Sequence, residues 1–377
     1  MKNKKLTTWE AACIITGYGI GGGVLAMPYL AEKNGIVMAM ILLVAEFAAS
    51  LLLHLMIADI VLKCDPGAQV VTVFSRFMFK GKYKKLLTVA LFALMAVVLF
   101  ANLAAYVAAA AEVLDGIFGI GVFACKLIFY VLAAGVVVFG LKAVAVSEKL
   151  MVAIIFGLIA LLAVPSLLGA HNALRTAPGS LHDTVKYFGM AMLAFGAFFS
   201  VPQAVEGLGG DVKEIRKAIF LGLGNNLIIM IVVIFCALLA SEEVTEVAMV
   251  GWSAGIGLWA QLVGGVFTLL AMLTTYWSVS LALVDILEEQ IHLNGKICWL
   301  LATLPSTIVA LLALGSFLDF LEIAGGAIAI IIAMLFVPCY RLALKEVPGG
   351  IVGLLTRGWV QIIVIIAYVL MGVGNII

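Results

Sequence analysis

The sequence predicts an all-α polytopic membrane protein of eleven transmembrane helices, and three observations carry that reading. The first is composition: of 377 residues 65% are hydrophobic and 11% charged, with a mean hydropathy of +1.25. A soluble domain averages about 45–50% apolar and about 25% charged residues. The second is a series of eleven apolar runs, each near the roughly 20 residues that cross hydrocarbon as a helix. The third is charge. Eighteen lysines and arginines, from Lys2 through Lys63, Lys142, Lys213 and Arg341 to Arg357, flank alternate ends of those runs; only Lys33, Lys126, Arg175 and Lys186 flank the others. The positive side is cytoplasmic, which puts the N-terminus inside and the C-terminus outside a cell membrane.

Taken in order, the spans lie near Trp9–Ala31, Ile36–Leu62, Leu86–Leu114, Val122–Leu141, Leu150–Leu168 and Thr184–Leu208. Ala218–Ala240, Gly255–Leu287, Ile297–Leu314, Phe320–Leu342 and Leu354–Val373 complete them. The third and eighth are long enough for a strong tilt. MKNKKLTTWE runs into the first span without a small-residue cleavage site, so that span reads as retained. Between spans 2 and 3, GAQVVTVFSRFMFKGKYKK mixes aromatic and basic residues and reads as an interfacial segment. SEEVTEVAMVGWSAG after span 7 reads as a short external cap or a plain solvated loop. No soluble domain interrupts the series.

Span 1 contains TGYGIGGGVLAMP, with Gly17, Gly19, Gly21, Gly22 and Gly23 inside seven positions. Each glycine costs a helix interior about 1 kcal/mol relative to alanine. Non-helical backbone at membrane depth is tolerated where protein packs on it or where it lines an aqueous cavity. Broken helices of that kind let free amides hold an anion and free carbonyls a cation. The competing reading is close helix packing through small residues. If the chain holds two inverted halves, span 6 should be interrupted too. YFGMAMLAFGAFFSVPQAVEGLGGD does carry Gly196, Ala197 and Ser200 centrally, with Pro202 just beyond. Gly325-Gly326 in span 10 is a weaker cluster. The expected layout is one transmembrane unit: repeat one over about 9–168, repeat two over about 184–342, and an extra helix over about 354–373.

These residues also carry a family resemblance. ITGYGIGGGVLAMPYLAEKNG is similar to the first-helix motif of amino acid permeases in the amino acid–polyamine–organocation superfamily, especially the aromatic amino acid and amino acid–auxin branches. AFGAFFSVPQ resembles their sixth-helix motif SFGFHGxVPS, with Phe198 where those families carry histidine. The resemblance implies the bacterial leucine-transporter fold, two inverted five-helix repeats plus one helix, and secondary active transport of an amino acid. It places Gly21, Gly22 and Gly23 at the substrate carboxylate. Tyr18, Tyr106, Phe195, Gly196, Phe198 and Phe199, with Asn102 and Trp277, become candidates for the side-chain pocket. It puts a sodium ion at Thr16, Gly19, Ala271, Thr274 and Thr275, oxygen donors that suit a hard cation. Those threonines could equally back-bond to the preceding turn. Asp319 and Glu322 fall where this fold often keeps a gate charge, and Ala26 stands where some relatives carry the partnering arginine.

The coupling ion stays open between sodium and a proton. For a proton, Glu46 and His54 within span 2 and Glu206 near the end of span 6 are candidates, because an ionisable group in a bilayer is a functional candidate by default; the competing reading of Glu46 and His54 is a structural group facing a neighbouring helix or water. Asp59, Asp285, Glu288 and Glu289 read as solvated helix ends. No charged residue stands beside the expected pocket, so a neutral cargo, aliphatic or aromatic, is preferred. The six cysteines are scattered, and no metal triad, phosphate loop or activated nucleophile points to an enzyme or a cofactor. The net charge of +1 gives no footing for nucleic acid. The expected partners are a small amino acid and the lipid bilayer, with no obligate protein partner evident. A permease-like sensor that binds an amino acid without moving it is the alternative.

Overall fold

The computed structural model describes residues 5–169, 172–245, 247–312, 314, 320, 324–325, 331 and 335–376. Among them the regular structure is helical throughout, in fifteen α-helices with two short 3₁₀ turns, at Gly81–Tyr83 and Gly353–Thr356. The order is α1 (Thr8–Gly19), α2 (Gly22–Asn34), α3 (Ile36–Cys64), α4 (Val70–Phe77) and α5 (Lys84–Phe118). Then come α6 (Val122–Val137), α7 (Leu141–Leu168), α8 (Leu181–Ala194), α9 (Ser200–Gly207) and α10 (Val212–Ala240). The chain closes with α11 (Ala248–Ile256), α12 (Leu258–Ile291), α13 (Gly295–Leu311), α14 (Val337–Glu346) and α15 (Gly358–Gly374).

Five of these, α3, α5, α7, α10 and α12, are each long and apolar enough to cross a membrane, and α1 with α2 makes a sixth span bent by 58°. The 35 residues of α5 and 34 of α12 are the longest, matching the two long sequence runs. Capping fixes the starts of both interrupted spans. Thr7 and Glu10 exchange side-chain and backbone bonds ahead of α1, and Ser180 and Asp183 do the same ahead of α8. Of span 10, only Phe320, Ala324, Gly325, Ile331 and the residues from 335 are described; Asp319, Glu322 and Gly326 lie outside the described residues.

α12 is the axle of the bundle. Its most apolar stretch is 78% buried, against 28% for that of α7. It packs on α5, α7, α13 and α1, while α1 also lies on α10 and α2 lies on α8. Peripheral helices turn stripes such as Leu161, Val164 and Leu167 of α7, and Ile362, Ile366 and Val369 of α15, outward. At three- to four-residue spacing these cover the face a helix offers to lipid. The loop between α3 and α5 holds α4, which buries Val70, Val71, Val73, Phe74 and Phe77 and leaves Arg76 at the surface. The acidic loop holds α11, seated by the fully buried Trp252, whose Nε1 donates to Ser166 Oγ at 2.7 Å.

Candidate functional site: two helix breaks around one cavity

The last intrahelical bond of α1 runs from Ile20 N to Thr16 O at 3.0 Å, and helix resumes at Gly22. Only Ile20 and Gly21 are non-helical. The second half-helix runs on through Pro28 to Asn34. The glycines let neighbours close onto this backbone. A Cβ at Gly21 would collide with the Tyr106 hydroxyl and stand 2.9 Å from Thr275 Oγ1. The Gly22 backbone and the Thr275 hydroxyl are hydrogen-bond neighbours of the same tyrosine.

The other break spans Phe195–Phe199, between α8 and α9. Short turns stitch it: Gly196 N donates to Leu193 O, and Ala197 N to Phe195 O, both at 2.9 Å. Ser200 Oγ donates to Ala197 O at 2.7 Å. Pro202 sits in the first turn of α9, where a missing N–H costs nothing.

The two breaks meet at one cavity with room for water centres of about 30 Å³, enough for about two waters. Tyr18, Gly19, Gly21 and Gly23 line it from the first break, and Leu193, Ala194 and Gly196 from the second. α5 adds Asn102 and Tyr106, and span 10 adds Ala324 and Gly325. Tyr18 OH and Asn102 Oδ1 are buried there without a hydrogen-bond partner among the described residues. Phe195, Phe198 and Phe199 are buried off this wall. Phe195 packs on Phe47 with ring centroids 5.9 Å apart, and Phe198 on His54 at 5.2 Å and Tyr368 at 5.7 Å. Trp277 is buried, with Nε1 unpartnered.

Beneath the first break lie the candidate cation ligands. Thr275 Oγ1 donates to Gly17 O at 2.9 Å and Ala271 O at 3.0 Å, and Thr274 Oγ1 donates to Ala271 O at 3.0 Å. Each hydroxyl directs its proton at a carbonyl and keeps lone pairs free, so the donor set fits a hard cation. At Thr16 and Gly19 the expected ligands are backbone carbonyls; Thr16 O accepts from Ile20 N at 3.0 Å, while its hydroxyl donates to Ala12 O and Gly222 O and accepts from Asn225 Nδ2 at 3.1 Å. Gly19 faces Asn226, whose amide a Cβ there would strike. Both amide atoms of Asn226 are buried and unpartnered.

The three proton candidates are dispersed. Glu46 is fully buried with neither carboxylate oxygen partnered. His54 holds Ser50 O at 2.7 Å through Nδ1, leaving Nε2 unpartnered. Glu206 is half-buried and pairs with Lys5 at 2.8 Å. On that same end, Lys5 N and Leu6 N both donate to Gly207 O at 2.9 Å. Asp59 differs from a solvated helix end: it is 2% exposed, paired with Lys63 at 2.5 Å, and accepts from Tyr340 OH at 2.6 Å. Asp285 accepts from Gln203 Nε2 at 3.2 Å and Glu289 from Gln69 N at 3.0 Å, while Glu288 is exposed.

Sequence reasoning passed over two buried polar groups beside the first break. Asn226 carries a signal of its own, an Asn-Asn pair inside an apolar span. Glu148 is fully buried and lies against Gly17. Its signal is register, because Val144, Glu148, Val152, Ile155, Ile159 and Leu162 form one buried stripe of α7.

Known proteins share this architecture. The structure of MhsT in complex with L-phenylalanine matches with a TM-score of 0.69 at 16% identity, covering 100% of both chains. Mhp1, a nucleobase-cation-symport-1 family transporter with bromovinylhydantoin bound, matches at 0.65 with 14% identity, over 99% of this chain and 92% of that one. A manganese transporter from Eremococcus coleocola matches at 0.64 with 12% identity, over 98% and 85%. The fold is therefore the bacterial leucine-transporter type, carried here by proteins with unlike cargo. In sequence, Glutamine transporter 2 of Aliivibrio fischeri is 24% identical over 346 residues, 87% of this chain and 86% of the relative. These relatives are transporters and not enzymes. The model of the Tryptophan/tyrosine permease family matches residues 4–373, so this multi-pass membrane protein belongs to that family of amino acid transporters.

Proposed function

We propose that the protein imports a neutral amino acid by cation symport, exposing one central site alternately to the two sides of a cell membrane. The observation that carries this reading is the convergence of both helix breaks on a cavity with no charged side chain on its described wall. The Gly21–Gly23 amides open α2, and a helix start is a ready anion site, so the cargo carboxylate docks there. Tyr18, Asn102 and Tyr106 face the rest of the molecule. A wall without charge disfavours acidic and basic side chains, since an unpaired charge is costly to desolvate. Both glutamine, in the name of the sequence relative, and L-phenylalanine, in the matched complex, are neutral.

In this reading the eleven spans form two inverted five-helix repeats plus α15, with the N-terminus cytoplasmic and the C-terminus outside. Packing of α2 against α8, each from one interrupted span, supports the pairing. Sodium at Thr16, Gly19, Ala271, Thr274 and Thr275, or a proton, drives uptake. Purified protein in liposomes, offered labelled amino acids under separate sodium and proton gradients, tests it. Accumulation under one gradient is the expected outcome; binding without accumulation under either would identify a sensor. Gly22→Leu is expected to abolish binding in a folded protein, and retained binding would move the carboxylate elsewhere.

A further inference from the structure

Glu148 has no part in that scheme, yet its carboxylate lies against Gly17 in the last turn of α1, beside the first helix break. α7 carries it inward on the buried stripe, where it is fully buried. Its Oε1 accepts from Ser278 Oγ at 2.8 Å, and its Oε2 has no partner among the described residues. The lysines nearby on α7 do not neutralise it. Lys142 and Lys149 both turn to Glu10, at 2.6 and 3.5 Å. A carboxylate held in a dry interior without a counter-charge is strongly disfavoured, so this one requires a positive guest or a proton.

The surroundings are chemically uniform. Gly17 of α1 lies so close that a Cβ would collide with the carboxylate. The Gly17 carbonyl takes the Thr275 hydroxyl at 2.9 Å, and Ser278 Oγ stands 3.3 Å from Ile14 O. Ile14 and Gly17 are nearly one turn apart on α1, and Thr275 and Ser278 are likewise on α12, so each helix presents a facing pair of oxygens. Gly17 is in the last turn of α1, where carbonyls lack helical partners and the helix end is negative. Every group here is a hard oxygen, which favours an alkali cation over a soft metal.

We propose that Glu148 is the anionic ligand of a sodium site shared by α1, α7 and α12, with Gly17 O, Thr275 Oγ1 and Ser278 Oγ as its neutral ligands. This rests on the symport reading, and it takes Gly17 O as the α1 ligand and adds Ser278, nearly one turn beyond Thr275 on α12. Binding there would bridge the broken first span, α7 and the buried axle α12, which already pack on one another. Sodium would displace the Ser278 hydroxyl proton from Glu148 and draw the hydroxyl lone pair to itself.

The test uses the full chain in detergent, without amino acid, titrated with sodium chloride against choline chloride at constant ionic strength while the melting temperature is followed. A saturable rise with sodium alone is expected in the wild type. Glu148→Gln is expected to move its midpoint upward on the order of tenfold or more, and Ser278→Ala to move it in the same direction; the latter decides the matter if Glu148→Gln does not fold. An unchanged midpoint in the folded variants overturns the site. No sodium response in the wild type, with uptake driven by protons, also overturns it but leaves symport standing. A sodium response that depends on Glu148, in a protein that accumulates nothing under either gradient, keeps the site and refutes symport.

Discussion

Asn226, Tyr106 and Glu148 each occupy the space where a glycine of the first span lacks a side chain: Gly19, Gly21 and Gly17 respectively. The glycines therefore serve less as hinges than as recesses that admit polar groups to the backbone. Gly17→Ala tests one of the two tightest of these recesses. The added methyl overpacks the Glu148 carboxylate, at a cost of about 1–3 kcal/mol. Glu148→Ala in the same chain is expected to recover most of that loss, a non-additivity that thermal melts of the two single variants and the double variant would measure. At this scale the sequence was partly legible. The glycine cluster announces itself because so many poor helix formers do not gather by chance in a lipid-spanning run. Glu148, flanked by Lys142 and Lys149, looks like an ordinary charged helix end until its register on α7 is compared with Val152 and Ile155. Phe198 shows the reverse case, since the imidazole absent at that position arrives beside it from α3 as His54.

Among the elements, the interrupted spans were legible because their breaks are local, written in glycine and proline. The first resumes at Gly22, since α2 needs no special residue to begin once Gly21 has turned the chain. Pro28 is accommodated inside it. What the sequence left undecided was the acidic loop, whose composition suits solvent as well as a lid. The deciding contact is long-range: Trp252 reaches Ser166 on α7, 86 positions away. Trp252→Phe removes that bond and is expected to cost about 1 kcal/mol. The measurable consequence is faster hydrogen exchange over Ala248–Ile256, with α12 left protected; unchanged exchange would mean that packing alone holds α11.

For the molecule as a whole, the end bearing the N-terminus is fastened by a strap. Lys5 pairs with Glu206 while Lys5 N and Leu6 N share the Gly207 carbonyl, and Glu10 gathers Lys142 and Lys149. Hydrogen bonding to Glu206 holds the Lys5 ammonium above its ordinary pKa, which keeps it charged across the physiological range. Lys5 is 59% exposed, and exposed pairs contribute about 0.2–1 kcal/mol. Glu206→Gln should accordingly raise the population opened at this end by no more than about fivefold. Maleimide labelling at the buried Cys13, followed by peptide mapping, would report it, and high salt applied to the wild type should mimic the substitution.

The cavity at the crossing of the two breaks has a consequence for every affinity measured on this protein. With space for about two waters, it would have to part its walls to admit the amino acid that the symport proposal places there. The observed dissociation constant is then the intrinsic one divided by the fraction of molecules already parted. Contacts and affinity become separable quantities. Leu193, which faces Gly325 across the cavity at 3.5 Å from a Cβ placed there, lets the two be pulled apart. Leu193→Ala removes a contact, yet equilibrium binding of the accumulated amino acid is expected to tighten because more molecules stand ready to receive it. Under that proposal, selection among cargoes would be exercised as much by how readily the walls yield as by what they touch.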